Sequence, residues 1–201
     1  MIDELERVAE RPVSRETFDR LCHYVELLRA ENERQNLVSA STLDRIWERH
    51  ILDSAQLVRF EPHAGASWVD IGSGAGLPGI VIGCILKGSI TLIEPRKLRA
   101  SFLESLVKEL ELNAKVLCAK AENVGGHFDV ITARAVGSLS KLLGITHHLS
   151  TKKTVWALPK GRSAQSELAD ALRTWQGVFH VKRSVTDPES YILVGTGVRA
   201  K

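Results

Sequence analysis

The spacing of apolar residues changes near residue 67, and the change predicts two kinds of structure. Before it, Phe18, Leu21, Cys22, Val25 and Leu28 recur at helical spacing behind Ser14, a residue suited to an N-cap. A polar break runs from Glu31 to Asn36. A second helical pattern begins near Ser41 and puts Leu43, Ile46, Trp47, Ile51, Ala55 and Val58 on one face. It ends at Glu61-Pro62-His63-Ala64-Gly65. Each stripe must pack on something, and the domain that follows is the natural partner.

From Ser67 onward, short apolar runs alternate with helical patterns. Strands are predicted at Trp68–Ile71, Ser89–Ile93, Ala114–Cys118, Phe128–Thr132 and Thr154–Leu158. Helices are predicted over about Leu77–Leu86, Lys97–Leu112, a stretch through about His148, and Ser163–Trp175, with Pro78 as a first helical residue. Two last strands, Val178–Ser184 and Tyr191–Val194, have no helix between them. Alternation implies parallel β-α-β units in a doubly wound α/β sheet with helices on both faces. The last two strands imply an antiparallel pair at its edge. Residues 1–62 are expected to form an N-terminal helical extension packed on a domain of residues 63–201.

Composition narrows the function classes. The 201 residues suit about one domain. Aromatic residues are only 5%, which disfavours a base-stacking platform. Cys22, Cys84 and Cys118 are far apart and none is in a C-x-x-C pair. A disulfide framework or zinc ribbon is therefore not expected, and a reducing cytoplasm suits three small buried hydrophobes. His147-His148 lacks partner ligands in spacing, so no metal site is expected. The acidic start lacks the pattern of a signal peptide, and the apolar run Leu77–Leu86 is too short and broken to span a membrane. Residues 1–60 carry 9 Lys+Arg and 12 Asp+Glu, and residues 61–201 carry 18 and 12. The later part is thus modestly basic, and nucleic acid is left open as a partner.

The sharpest motif is Asp70-Ile71-Gly72-Ser73-Gly74-Ala75-Gly76-Leu77-Pro78-Gly79, between a strand and a helix. Nucleotides bind at that place in α/β sheets. Gly74 to Gly79 also fits the dinucleotide pattern G-x-G-x-x-G, so the spacing alone leaves an NAD-linked oxidoreductase open. Charge separates the two. A carboxylate at Asp70 opposes a pyrophosphate but suits the sulfonium and ammonium of S-adenosylmethionine. Glu94 ends the next strand, where an acid can accept hydrogen bonds from both ribose hydroxyls. His50 and Asp53, an i, i+3 pair, suit a structural hydrogen bond between helix and domain.

Joined with Asn36-Leu37-Val38-Ser39, His50-Ile51-Leu52-Asp53-Ser54, Glu94-Pro95-Arg96-Lys97, Ala121-Glu122, Thr132-Ala133-Arg134-Ala135 and Leu158-Pro159-Lys160-Gly161, the loop resembles the bacterial 16S rRNA guanine-N7 methyltransferase G family (glucose-inhibited division protein B). Val38 stands where that family more often has Thr. The resemblance implies a Rossmann-like class I methyltransferase fold, S-adenosylmethionine as cofactor, and 16S rRNA or the small ribosomal subunit as partner. A cytoplasmic monomer without membrane attachment is expected. The resemblance puts Gly72 and Leu77 on the cofactor, with Gly74 in the same loop, Ala121 and Glu122 against its adenosine, and Arg134 beside both cofactor and target. Glu94 at the ribose follows the general methyltransferase pattern. No residue is expected to act as a base, because guanine N7 carries a lone pair and no proton; Arg134 is the candidate for positioning the target. Arg96, Lys97, Arg99, Lys152, Lys153, Lys160 and Arg162 are candidates for an RNA-facing rim. A non-catalytic ribosome-binding module with the same fold is the alternative.

Overall fold

The computed structural model describes residues 1–201. Seven strands form one sheet: β1 (Trp68–Ile71), β2 (Ile90–Ile93), β3 (Ala114–Leu117), β4 (Val130–Ala133), β5 (Val155–Lys160), β6 (Trp175–Arg183) and β7 (Tyr191–Ala200). Their order is β3-β2-β1-β4-β5-β7-β6. The first five are parallel, and β7 runs antiparallel between β5 and β6. The order reverses between β1 and β4, so a crevice opens at their carboxyl ends.

Helices α1 (Ile2–Ala9), α2 (Arg15–Gln35), α3 (Ala40–Leu43) and α4 (Asp53–Ala55) precede the sheet; α5 (Gly79–Ile85), α6 (Lys97–Glu109), α7 (Leu139–Thr146) and α8 (Ala164–Ala171) follow its strands. Ser14 caps α2 by accepting from the Thr17 N–H at 3.2 Å. Leu21, Val25 and Leu28 of α2, with Ile51, Leu57 and Val58, share one core with α5, α6 and Trp68. Val69 and Ile71 point the other way, into a core with α7, Trp156 and Leu158. Alternate residues of β1 thus serve opposite faces of the sheet.

Several elements depart from the pattern. The helix expected from Ser41 is not uniform: after α3 the chain makes a π-helical turn over Trp47–Leu52, then α4, then a 3-10 turn over Gln56–Phe60. Hydrophobic spacing locates the buried face but does not register one inserted residue per turn. Pro78 is the N-cap of α5, not its first residue. α8 stops at Ala171, and Trp175 opens β6, pairing with Ala200. β7 runs through Gly195 and Gly197, past the Val194 at which the apolar run ends. Of the three free cysteines only Cys84 is buried; Cys22 is half-buried and Cys118 is exposed. No helix is long and apolar enough to cross a membrane.

Candidate active site

The loop after β1 is held by its own backbone and by two acids. Gly72, Gly74 and Gly76 all have positive φ, at 67°, 54° and 95°. The Gly72 and Ser73 N–H groups donate to the Ile93 carbonyl at 2.8 and 3.1 Å, which ties the loop to the end of β2. Glu94, 3% exposed, accepts the Gly74 N–H on Oε2 at 3.0 Å and the Arg96 N–H on Oε1 at 2.8 Å. It makes no ion pair with Arg96 or Lys97; each of its oxygens keeps a lone pair for a further donor. From the helical extension, the Tyr24 hydroxyl donates to the Ala75 carbonyl at 2.9 Å.

Asp70 lies elsewhere than charge reasoning suggests. Alternation turns its side chain to the face of Trp68, beneath the loop and away from the crevice. Its Oδ2 accepts the Gly79 N–H at 3.1 Å, and its Oδ1 is buried without a partner. Burial pushes the carboxyl up to about 7, although the Gly79 N–H and the Arg134 guanidinium favour its ionised form. It anchors the start of α5, so any attraction for a cation acts through the loop, not across an open pocket. Gly79 is required there, because a Cβ would come 2.3 Å from Leu92 Cδ2 and 2.7 Å from Asp70 Oδ2.

Two cavities open along the crevice. The first, about 500 Å³, is lined by Ile71, Gly72, Ile93, Pro95, Ala121 and Glu122, with Val136, Lys141 and Ile145 opposite. Its walls are largely apolar and its rim carries both signs of charge, Glu122 with Arg96, Lys120 and Lys141; an apolar slot with a few polar groups suits a nucleoside. The backbone of Gly72 fits that use: a Cβ there would meet Val136 Cγ2 at 2.9 Å, inside the cavity wall. Gly72, Ala121 and Glu122 thus line one cavity together. Leu77 does not line the cavity; it is buried in the core behind the loop, with its N–H donating to the Ser73 carbonyl. Gly74 and Glu94 lie beside the cavity, bonded to each other.

The second cavity, about 310 Å³, lies at the ends of β4 and β5 and is lined by Asp53, Arg134, Pro159, Lys160, Tyr191 and Ile192 among others. Ala135 and Gly137 line both cavities. Ala135 stands at φ 59°, a strained value for a residue with a side chain. The Arg134 guanidinium donates to His50 Nδ1 at 3.0 Å, and His50 Nε2 meets Thr42 Oγ1 at 2.9 Å. Burial, helped by the Arg134 and Arg49 guanidiniums, pushes His50 down to about 4. A neutral ring accepting at Nδ1 must carry its proton on Nε2, so Thr42 is the acceptor. Burial also lowers the Arg134 pKa, against the pull of Asp53.

His50 and Asp53 each bond from the helical segment to the domain, as the sequence suggests, and to different partners. His50 orients Arg134, and Asp53 binds Gln56 and Thr186. Lys141 and Ile145 of the first cavity and Tyr191 and Ile192 of the second lie outside the motifs; Tyr191 and Ile192 reach Asp53 only when the hairpin of β6 and β7 closes on β5. The rim also divides. Lys160 is committed to Glu167 (2.8 Å) and the Gly137 carbonyl (3.2 Å), and Arg162 pairs with Glu189. Arg96, Lys97 and Arg99 are available, and with Arg34 and Gln35 they surround a third cavity of about 440 Å³.

Comparison with known proteins supplies the family. The sequence model described as rRNA small subunit methyltransferase G (GidB) matches residues 17–189. The ribosomal RNA small subunit methyltransferase G of Novosphingobium aromaticivorans is 45% identical over 184 residues, covering 89% of this chain and 80% of that protein. The protein of the same name from Erythrobacter litoralis is 46% identical over 187 residues, covering 92% and 90%. The crystal structure of M. jannaschii TYW2 in complex with AdoMet shares the fold, with a TM-score of 0.58 at 14% identity over 82% of this chain and 78% of that one. This chain belongs to the rRNA small subunit methyltransferase G family.

Proposed function

We propose that the protein transfers a methyl group from S-adenosylmethionine to N7 of a guanine in 16S rRNA. Methylation of small-subunit rRNA follows from the family; the atom, the base and the RNA are the finer statement. The observation that carries it is the pair of cavities sharing the wall of Ala135 and Gly137 at the switch point of the sheet. One is shaped for a nucleoside, and the other is polar and deep enough for one extruded base.

When bound, the cofactor supplies a methyl carbon made electrophilic by a sulfonium. The chain supplies alignment. Ile71, Ile93 and Val136 face the adenine, Ala121 and Glu122 its edge, and Glu94 the ribose through its remaining lone pairs. Gly72 allows close approach, while Gly74 and Leu77 keep the loop in shape. Arg134, oriented by His50, positions the base by donating to O6. No side chain needs to remove a proton. The N-terminal 62 residues act as an extension that braces the loop through Tyr24 and Arg134 through His50. A monomer in the cytoplasm, acting on the small subunit or its rRNA, fits this arrangement.

The test is transfer of labelled methyl to small subunits from cells lacking the protein, followed by mapping of the modified nucleotide by chemical cleavage at N7-methylguanosine. Label on a single guanine N7 is expected. Label on an exocyclic amine, a ribose or the large subunit overturns the assignment.

A further inference from the structure

Asp53 holds the second cavity's one open carboxylate oxygen. Its Oδ1 accepts from Gln56 Nε2 at 2.9 Å and from Thr186 Oγ1 at 2.8 Å, which fixes the group in place. Its Oδ2 accepts nothing from the protein, and the residue lines the cavity. The other acid there is already used. Glu167 takes the Lys160 ammonium and the Leu139 N–H on Oε2, at 2.8 and 3.0 Å, and the Ser163 hydroxyl on Oε1 at 2.7 Å. The hydrogen bonds to Asp53 come from a residue of the helical extension and from one in the hairpin loop 130 residues later, so its orientation is built by the tertiary fold.

A fixed acceptor beside a guanidinium distinguishes the purines. Guanine places O6, an acceptor, next to N1–H and the N2 amino group, both donors. Adenine places an amino donor next to a bare N1 lone pair, the reverse order. Arg134 suits the first pattern at O6, and the two lone pairs of Asp53 Oδ2 suit N1–H and N2–H. An adenine turned into the same place sets a lone pair against a carboxylate and a donor against a guanidinium. We infer that Asp53 is the residue that selects guanine, by accepting the hydrogens of its N1 and N2; this rests on the acceptor cavity assigned under Proposed function.

Charge adds to selection. Guanine becomes positive when its N7 lone pair takes the methyl group, and no proton leaves. That charge spreads over the ring and makes N1–H a stronger donor. The bond to Asp53 therefore strengthens along the reaction, so it favours the transition state over the bound ground state.

The experiment compares small subunits reconstituted with 16S rRNA carrying guanosine or inosine at the mapped target. Inosine keeps N7, O6 and N1–H and lacks only the N2 amino group. The wild-type protein is expected to lose about 10-fold or more in kcat/KM on inosine, the scale of one hydrogen bond to a charged group. Asp53→Asn is expected to lose about 10- to 100-fold on guanosine and to treat the two bases nearly alike, while calorimetry shows unchanged affinity for S-adenosylhomocysteine. A variant that keeps the wild-type preference for guanosine overturns the inference. So does a wild-type protein that methylates both equally, a result that needs no variant to fold. Absence of transfer to guanosine N7 by the wild-type protein instead overturns the function on which the inference rests.

Discussion

Asp70 and His50 are both buried, and burial moves their proton affinities in opposite directions. Asp70, ordinarily near 3.8 and here about 7, holds a proton in the folded chain after the unfolded chain has released it. Its contribution to stability is therefore fully present below pH 4 and is lost as pH rises toward 7, by up to about 1.4 kcal/mol per unit. His50, ordinarily 6.5 and here about 4, does the reverse: the unfolded chain takes up the proton first, so stability falls as pH drops from 6.5 toward 4. Denaturant unfolding at pH 5 and pH 7 separates them. Asp70→Asn gains relative to the wild type as pH rises over that interval, and His50→Gln gains relative to the wild type as pH falls. Parallel pH curves for variant and parent remove the assignment. Arg134→Lys keeps the charge but lacks the planar fork that meets His50 and the cavity together, so methyl transfer drops about 10- to 100-fold. Undiminished kcat/KM in that variant takes Arg134 out of the site. The motif letters make Arg134 and the glycines legible. They do not show which way Asp70 faces, which is a matter of strand alternation and the bulk of α5.

Elements explain the loop better than its letters do. The stretch after β1 is pinned by four residues: Ile93 at the end of β2, Glu94 just after it, Tyr24 of α2, and Asp70 below the start of α5. Gly79→Ala puts a methyl group into Leu92 and Asp70 and is expected to destabilise by about 1–3 kcal/mol. Urea unfolding with an unchanged midpoint contradicts the close packing. Tyr24→Phe leaves the Ala75 carbonyl without its donor, which costs about 1–3 kcal/mol if no water replaces it. Its mark is weaker binding of S-adenosylhomocysteine with the sheet intact by circular dichroism. The five parallel strands are legible from apolar runs, and the amphipathic α2 and α6 from their period, whereas β6 and β7 extend beyond the runs that mark them. The π-helical turn at Trp47–Leu52 is not, because it shifts the hydrogen-bond register without moving the apolar residues to another face. That shift falls where His50 and Asp53 enter the site.

For the whole molecule, the modest excess of positive charge becomes meaningful by placement. Arg96, Lys97 and Arg99 gather at the mouth of one cavity beside the glycine loop, whereas Arg34 at the same cavity pairs with Glu31, and Lys160 and Arg162 are neutralised by Glu167 and Glu189. Replacing Arg96, Lys97 and Arg99 with Ala lowers the slope of log affinity for rRNA against log salt by about one unit for each phosphate no longer neutralised. The same change at Lys160 leaves that slope as it was. A slope insensitive to the first set places the RNA on another face. Composition shows only the sum of charges; pairing across the fold determines which remain free. The antiparallel β7 has a further effect. It brings Tyr191 and Ile192 to the carboxyl end of β5, and the loop before it reaches back so that Thr186 holds Asp53 and Asp187 holds Arg49. An early and a late segment to leave the ribosome thus clasp one another over the acceptor cavity. A nascent chain that has emerged only as far as β5 carries every residue of the first cavity but lacks Tyr191 and Ile192 of the second and the Thr186 that holds Asp53, so competence toward RNA arrives late in synthesis.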